Sequence, residues 1–233
     1  MGEGQTNMMT VKTKAFDLGY RSLVQFRPDS HDADIVRSIL IDRTEYQLFS
    51  NCAPKVIFDI GAQIGCASLL FANSYPKATI YAFEPEPENY AILCENVDAY
   101  ENVKPYNVAL GAKTEKRPLF DSDTKDNKGG FSFHKAGSNL EVSKTVDVAN
   151  IVDFIKSIGS PQIDLLKVDT EGCEHEILFR LYLDGTLPPF IMGEAHGVDD
   201  WKMFEFLSQS HNVGVNKGLL ARCYLFYAAR KDA

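Results

Sequence analysis

The chain has 233 residues, 45% of them hydrophobic and 24% charged, ordinary values for an α/β protein that buries a full core. There are 24 Lys+Arg against 32 Asp+Glu, a net charge of −8. With no basic stripe in the sequence, a nucleic-acid backbone is not an expected partner. No apolar run reaches membrane-spanning length and no secretion-type apolar stretch stands near residue 1, so no membrane span and a cytoplasmic location are expected. The opening MGEGQT fits the loose myristoylation pattern through Gly2 and Thr6, but with no polybasic stretch beside it chance is the better explanation. The five cysteines (Cys52, Cys66, Cys94, Cys173, Cys223) never form C-x-x-C. That scatter predicts reduced thiols, not a disulfide framework or a zinc cluster.

In chain order, residues 27–44 carry a helical stripe through Ile35, Val36, Ile39 and Leu40, with Ser30 or Asp32 available as a cap. After Pro54 an alternating pattern begins. KVIFDIG is an apolar strand, CASLLFANS a helix, TIYAFE a strand, PENYAILCENVDAY a helix and VKPYNVALG a third strand. From 112 to 147 the rhythm breaks into short alternating runs around Lys128-Gly129-Gly130, which predicts a β-hairpin insert. The pattern then resumes with VANIVDFIKSIG as helix, IDLLKVDTEG as strand and loop, CEHEILFRLYLDG as helix and PFIMGEAHG as strand and loop. A helix over 199–212 and an aromatic-rich strand over 221–230 complete it. Strand–helix alternation implies right-handed crossovers and a doubly wound, mostly parallel sheet. With no linker or repeat, one domain over 1–233 is expected, with 1–50 as a helical and strand extension.

The loop after the first core strand, VIFDIGAQIG, decides which ligand class to expect. A strand ending at Asp59, then Gly61 and Gly65 before a helix, places free N–H groups beside the sheet's carboxyl edge. The phosphate loop's G-K-[ST] is absent, which argues against an NTPase. The dinucleotide pattern G-x-G-x-x-G is incomplete, so a nicotinamide oxidoreductase is a second-ranked alternative. Glu84 closes the second strand, where a carboxylate accepts from both hydroxyls of a ribose. The expected ligand therefore carries an adenosine and need not carry a pyrophosphate. A strand-to-helix turn with no ligand, and Glu84 as a surface acid, is the competing structural explanation.

D-x-G-x-x-x-G followed by an acidic end to the second strand resembles the class I S-adenosylmethionine-dependent methyltransferases, whose fold is a Rossmann-like seven-stranded sheet. IDLLKVDTEGCEHEIL (163–178), together with NVALG (107–111), FEPEPENYAIL (83–93) and GEAH (193–196), is similar to the FkbM-type methyltransferases over about residues 27–229. That family's loop commonly reads D-I-G-A-N-I-G, and its fourth strand runs into K-[IV]-D-x-E-G. Gln63 stands where the family usually has Asn. The resemblance implies S-adenosyl-L-methionine held by Asp59, Gly61, Ala62, Gln63, Gly65, Glu84, Asn107 and Ala109. It further implies O-methylation of a small-molecule hydroxyl on a sugar, glycolipid headgroup or secondary metabolite. A non-catalytic S-adenosylmethionine-binding protein is a further alternative, which the intact KVDTEG and GEAH disfavour.

Methyl transfer needs in-line alignment and removal of a hydroxyl proton, and open α/β sheets place such chemistry beyond the strand carboxyl ends. Lys167 and Asp169 leave the fourth strand on one face. Asp169 is a candidate base, metal ligand or positioning group, or the structural partner of Lys167. Lys167 keeps a carboxylate ionised or meets an acidic group of the substrate. Glu171 faces the chemistry or caps the following helix. His196 is the best base by residue type, unless it is only a surface-loop histidine. Asp169, Glu194 and His196 can also gather a divalent ion of the Mg2+ kind, as catechol methyltransferases do after the same strands. His134, with Phe131 and Phe133 behind the Gly129-Gly130 hinge, belongs to a substrate cover or to a plain edge hairpin. The helix ending near Tyr46 closes the other side of the pocket.

Overall fold

A computed structural model describes residues 13–120, 131–133, 142–196, 200–216 and 223–233. Two short strands, β1 (Lys14–Phe16) and β2 (Val24–Phe26), pair antiparallel ahead of α1 (Asp32–Ile35), which continues as a π-helix over Val36–Ile41. This helix is shorter than the apolar stripe over 27–44 predicts. Asp32 does not cap it, since His31 holds the N-cap position. The Asp32 carboxylate instead accepts from the Arg27 backbone N–H at 2.9 Å and from its guanidinium at 2.8 and 3.0 Å. A forked, charge-assisted pair outcompetes a single capping bond. Ser30 does accept one free N–H, that of Asp32, at 3.2 Å.

The core alternation follows as β3 (Val56–Ile60), α2 (Cys66–Ser74), β4 (Thr79–Phe83), α3 (Pro87–Val97) and β5 (Val103–Tyr106). Next come β6 (Ala109–Gly111), β7 (Glu115–Phe120), β8 (Val142–Asn150) and α4 (Ile151–Ser157). The chain closes with β9 (Leu165–Val168), α5 (Glu174–Leu183), β10 (Phe190–Ala195), α6 (Asp200–Ser210), β11 (His211–Asn216) and β12 (Tyr224–Arg230). Seven strands form one sheet in the order β11-β12-β10-β9-β3-β4-β5, parallel from β10 to β5 and antiparallel at β12. The expected doubly wound architecture is therefore present.

Strand residues alternate between two apolar layers, as the pleat requires. Ile57, Ile80, Leu165 and Met192 pack with α1, α2 and α3 on one face. Phe58, Ile60, Phe83, Leu166 and Ile191 pack with α4, α5 and α6 on the other. Strands buried on both faces read as near-continuous apolar runs, which is why β3, β4 and β9 were visible in the sequence.

Three boundaries differ from expectation. VKPYNVALG is two strands, because the Asn107 amide donates to the Glu84 and Pro85 carbonyls at 2.8 and 3.1 Å and turns the chain out of the main sheet. The strand β8 runs through Asn150, where a helix from residue 148 was expected. Asn150 itself caps α4, its side chain accepting from Val152 and Asp153 N–H groups at 2.9 and 3.3 Å. The last helix stops at Ser210, and His211–Asn216 pairs antiparallel with β12. The insert does form an antiparallel pair, β7 with β8, and β6 joins it in parallel to make a separate three-stranded sheet. The expected turn at Lys128-Gly129-Gly130 and the expected position of His134 lie outside the described residues.

Candidate active site

The glycine loop leaves β3 at the carboxyl edge of the sheet. Gly61 has φ +78°, and a Cβ there would lie 1.7 Å from the Asp169 carbonyl oxygen. Only glycine allows that approach between the loop and the end of β9. Gly65, at φ +91°, holds the N-cap position of α2 and packs against Leu93. The N–H groups of Gly61 and Ala62 both donate to the Phe83 carbonyl, at 3.0 and 2.9 Å, so they brace the loop against β4. Asp59 is fully buried beneath it, accepting from the Ser68 hydroxyl at 2.6 Å and standing 3.3 Å from Lys167 Nζ. It does not line the cavity described below.

Glu84 accepts the Gln63 N–H at 2.9 Å and the Glu86 N–H at 2.8 Å, one on each carboxylate oxygen. Burial pushes its carboxyl up to about 7, against those two donors, which pull the other way. Gln63 sits at φ +50°, a left-handed conformation that Asn tolerates better than Gln. Its side-chain amide donates to Asp32 at 3.2 Å. Asp32 is held in turn by Arg27, whose guanidinium also donates to Asn89 at 2.7 Å. The longer amide thus reaches across to the N-terminal helix. Asn107 braces the turn after β4 and is exposed, whereas Ala109 faces the cavity.

At the end of β9, Lys167 donates to the Gly61 carbonyl at 2.6 Å and lies 3.7 Å from Asp169. Burial opposes its charge, but Asp59 and Asp169 more than offset that and raise its pKa. Tyr46 lies over Lys167, 5.2 Å from Nζ to ring centroid, and its hydroxyl donates to Asp169 Oδ2 at 2.6 Å. Tyr46 is buried at φ +52°, a conformation that costs a bulky residue about 1–3 kcal/mol and persists only where surroundings impose it. Burial and the neighbouring carboxylates, Asp169 foremost, hold its phenol protonated.

Glu171, at φ +56°, faces the cavity, and the role of bracing the next helix falls to Glu174 instead. Glu174 is almost fully buried and accepts from Thr170 N–H at 2.7 Å, Thr170 Oγ1 at 3.0 Å and Gly172 N–H at 3.0 Å. Burial raises the Glu171 carboxyl to about 7; His196 pulls it down while Asp169, Glu174 and Glu194 push it up. His196 stands at the centre of these acids. Its Nδ1 is 3.2 Å from Glu174, and its Nε2 is 3.2 Å from Glu194, 3.7 Å from Glu171 and 3.9 Å from Asp169. Burial alone would lower its pKa. Hydrogen bonding with Cys223, Glu174 and Glu194 and the charge of Asp169 carry it far above the ordinary histidine range. The surrounding acids thus favour the charged form of the ring over the neutral one.

One cavity of about 390 Å³ joins these parts. Its walls include Gly61, Ala62, Gln63 and Glu84, and beside them Lys167, Asp169, Glu171 and Glu194. Phe131 and Phe133 of the insert and Ile35, Ile39 and Tyr46 of the N-terminal segment complete the walls. Asp169, Glu174 and His196 each offer one ligand atom within 4.8 Å of one another, as do Glu194, His196 and Cys223.

Residues 59–212 match the Methyltransferase FkbM domain. The chain belongs to that family. Among curated relatives, Methyltransferase sdnD of Sordaria araneosa is 29% identical over 62% of this chain and 66% of its own length. Hexuronic acid methyltransferase AglP of Haloferax volcanii is 27% identical over 77% of this chain and 69% of its own. The crystallised Methyltransferase FkbM of Methylobacillus flagellatus superposes with a TM-score of 0.55 at 18% identity, covering 82% of this chain and 47% of that one. The chain thus spans about two thirds of the two curated relatives and about half of the crystallised protein. No helix among the described residues is long and apolar enough to cross a membrane.

Three site residues escaped the sequence reading. Tyr46 was seen only as a wall, since nothing local announces a partner 123 positions away. Asp32 was read as a cap. Glu174, the first residue of α5, folds back on Thr170 and Gly172, a contact that no local pattern in the sequence announces.

Proposed function

We propose that this FkbM-family protein is an S-adenosylmethionine-dependent O-methyltransferase acting on a hydroxyl of a small sugar, glycolipid headgroup or secondary metabolite. The observation that carries the reading is one cavity lined both by a ribose-type carboxylate, Glu84, and by the acids Asp169, Glu171 and Glu194. The fit at the cofactor end rests on Glu84. It lines the cavity with one backbone N–H on each oxygen and a further hydrogen bond from the Asn89 side chain, which leaves acceptor capacity for a ribose hydroxyl. Burial has also raised its pKa, so two hydroxyl donors would relieve a desolvated carboxylate.

When bound, S-adenosylmethionine supplies the electrophilic methyl group. The chain's own residues do the rest. Gly61 lets the backbone approach, and Gln63 holds Glu84 in place through its N–H. Glu171, with its carboxyl at about 7, is matched to receive the acceptor's hydroxyl proton at neutral pH. Lys167 and the His196 imidazolium keep the cluster from accumulating unbalanced negative charge. Phe131 and Phe133 exclude water above it. We read the seven-stranded and three-stranded sheets as one catalytic unit and the insert as the substrate cover.

The reading needs no divalent ion. Both nitrogens of His196 already face carboxylates, Nδ1 toward Glu174 and Nε2 toward Glu194, so the ring is itself the cation these acids surround in this reading. Turnover should therefore survive EDTA treatment. Calorimetry with S-adenosylhomocysteine and with NADPH tests the cofactor; binding of NADPH alone would sink the reading. A methyl-transfer screen over uronic acids, neutral glycosides, nucleotide sugars and polyketides then assigns the acceptor.

A further inference from the structure

The family match starts at Asp59, yet two groups ahead of it fasten onto the two halves of the site. Asp32 accepts from the Gln63 side chain of the glycine loop at 3.2 Å. Tyr46 donates to Asp169 of the K-V-D-T-E-G loop at 2.6 Å. Between them runs the short helix whose Ile35, Ser38 and Ile39 line the cavity. We propose that Asp32 and Tyr46 are positioning residues, and that segment 32–46 is a strap fixing the glycine loop relative to the Asp169 loop around the cofactor.

Each end is built to hold. Asp32 is fully buried and pinned by the forked Arg27 pair, so it is a fixed point for Gln63 and not a mobile acceptor. Tyr46 keeps a left-handed backbone that a bulky side chain avoids, with its ring on Lys167 and its hydroxyl on Asp169. Gln63 makes the first fastening possible. From its left-handed backbone the Gln63 side chain carries the amide across to Asp32 at 3.2 Å. The strap is therefore a contribution of this chain's N-terminal segment to a site whose chemistry lies in the family domain.

The proposal rests on the cavity being the S-adenosylmethionine site, so the probe is S-adenosylhomocysteine, which needs no acceptor. Tyr46→Phe keeps the ring over Lys167 and removes only the hydroxyl. Gln63→Leu keeps the side chain's bulk and removes the amide. Affinity and dissociation rate are measured for wild type, both single variants and the double variant, with thermal melts as a fold control. Each single variant is expected to weaken binding about tenfold, mainly through faster dissociation, with melting temperature little changed. Because one strap carries both fastenings, the double variant should fall well short of the hundredfold that independent contacts would give. A Tyr46→Phe variant with wild-type dissociation overturns the strap, and so does a fully multiplicative double variant. Wild-type protein that fails to bind S-adenosylhomocysteine removes the cofactor reading and the strap with it.

Discussion

The imidazole of His196 and the carboxylate of Glu174 meet at 3.2 Å, one almost fully buried acid holding one side of a ring whose other side faces three more. Four carboxylates converge on one cation, and that balance sets the charge of the site. The first prediction follows from it. In a proton-NMR titration the His196 ring should stay protonated from pH 6 to pH 9. Glu174→Gln should bring its titration down toward that range, and a wild-type midpoint near 6.5 would show that the acids do not act as described.

Glu84 gives ligand binding a pH dependence. Its carboxyl is pushed up to about 7, and a diol donates best to the ionised form. Raising pH from 6 to 8 should therefore strengthen S-adenosylhomocysteine binding about tenfold and then level off, since at pH 6 only about a tenth of the carboxylate is ionised. Glu84→Gln should bind more weakly and show no such slope. The same shift acts on the free protein with the opposite sense. Glu84 contributes stability below the ordinary carboxyl pKa and loses it as pH rises through about 7. The difference in melting temperature between pH 5 and pH 8 should shrink in the variant.

Gly61→Ala places a methyl group where the Asp169 carbonyl oxygen lies 1.7 Å away. Relief requires the glycine loop and the end of β9 to separate. Urea denaturation should show a loss of about 3 kcal/mol or more, and calorimetry no detectable S-adenosylhomocysteine binding. A variant that binds normally would mean the loop is looser than its contacts indicate.

Lys167→Met removes the cation between Asp59 and Asp169 and leaves the fully buried Asp59 with the Ser68 hydroxyl. An uncompensated buried charge costs about 3–5 kcal/mol. The raised Lys167 pKa means its contribution is complete below the ordinary lysine value and lost only as pH rises through the folded one. The stability gap between variant and wild type should thus be constant from pH 6 to pH 9. Adding Asp59→Asn should recover part of it.

What could be read from the sequence was what burial on two faces writes into it. The apolar runs of β3, β4 and β9, the glycines at 61 and 65 and the acid at 84 all follow from local rules, and they sufficed for the fold and the cofactor class. Partners far apart in sequence did not announce themselves. Tyr46 and Asp169 are brought together only by the fold, and the charge state of His196 depends on acids from the β9–α5 loop, the start of α5 and β10. The break at Asn107 was hidden because Val103–Gly111 carries no glycine or proline at the turn itself, while only its first half pairs with β4. The HNVGVN stretch is too short and polar to declare a strand without β12 beside it.

The turn at Asn107 has a practical meaning. The chain quits the seven-stranded sheet there and builds β6, β7 and β8 as a separate layer, returning only through α4 to β9. Lengthening, shortening or exchanging the segment between β7 and β8 therefore shifts no register among the strands that carry Asp59, Glu84 and Lys167. Phe131 and Phe133 belong to that exchangeable layer. If the insert is the substrate cover proposed above, transplanting it between relatives should change the acceptor that is methylated and leave S-adenosylhomocysteine affinity unchanged.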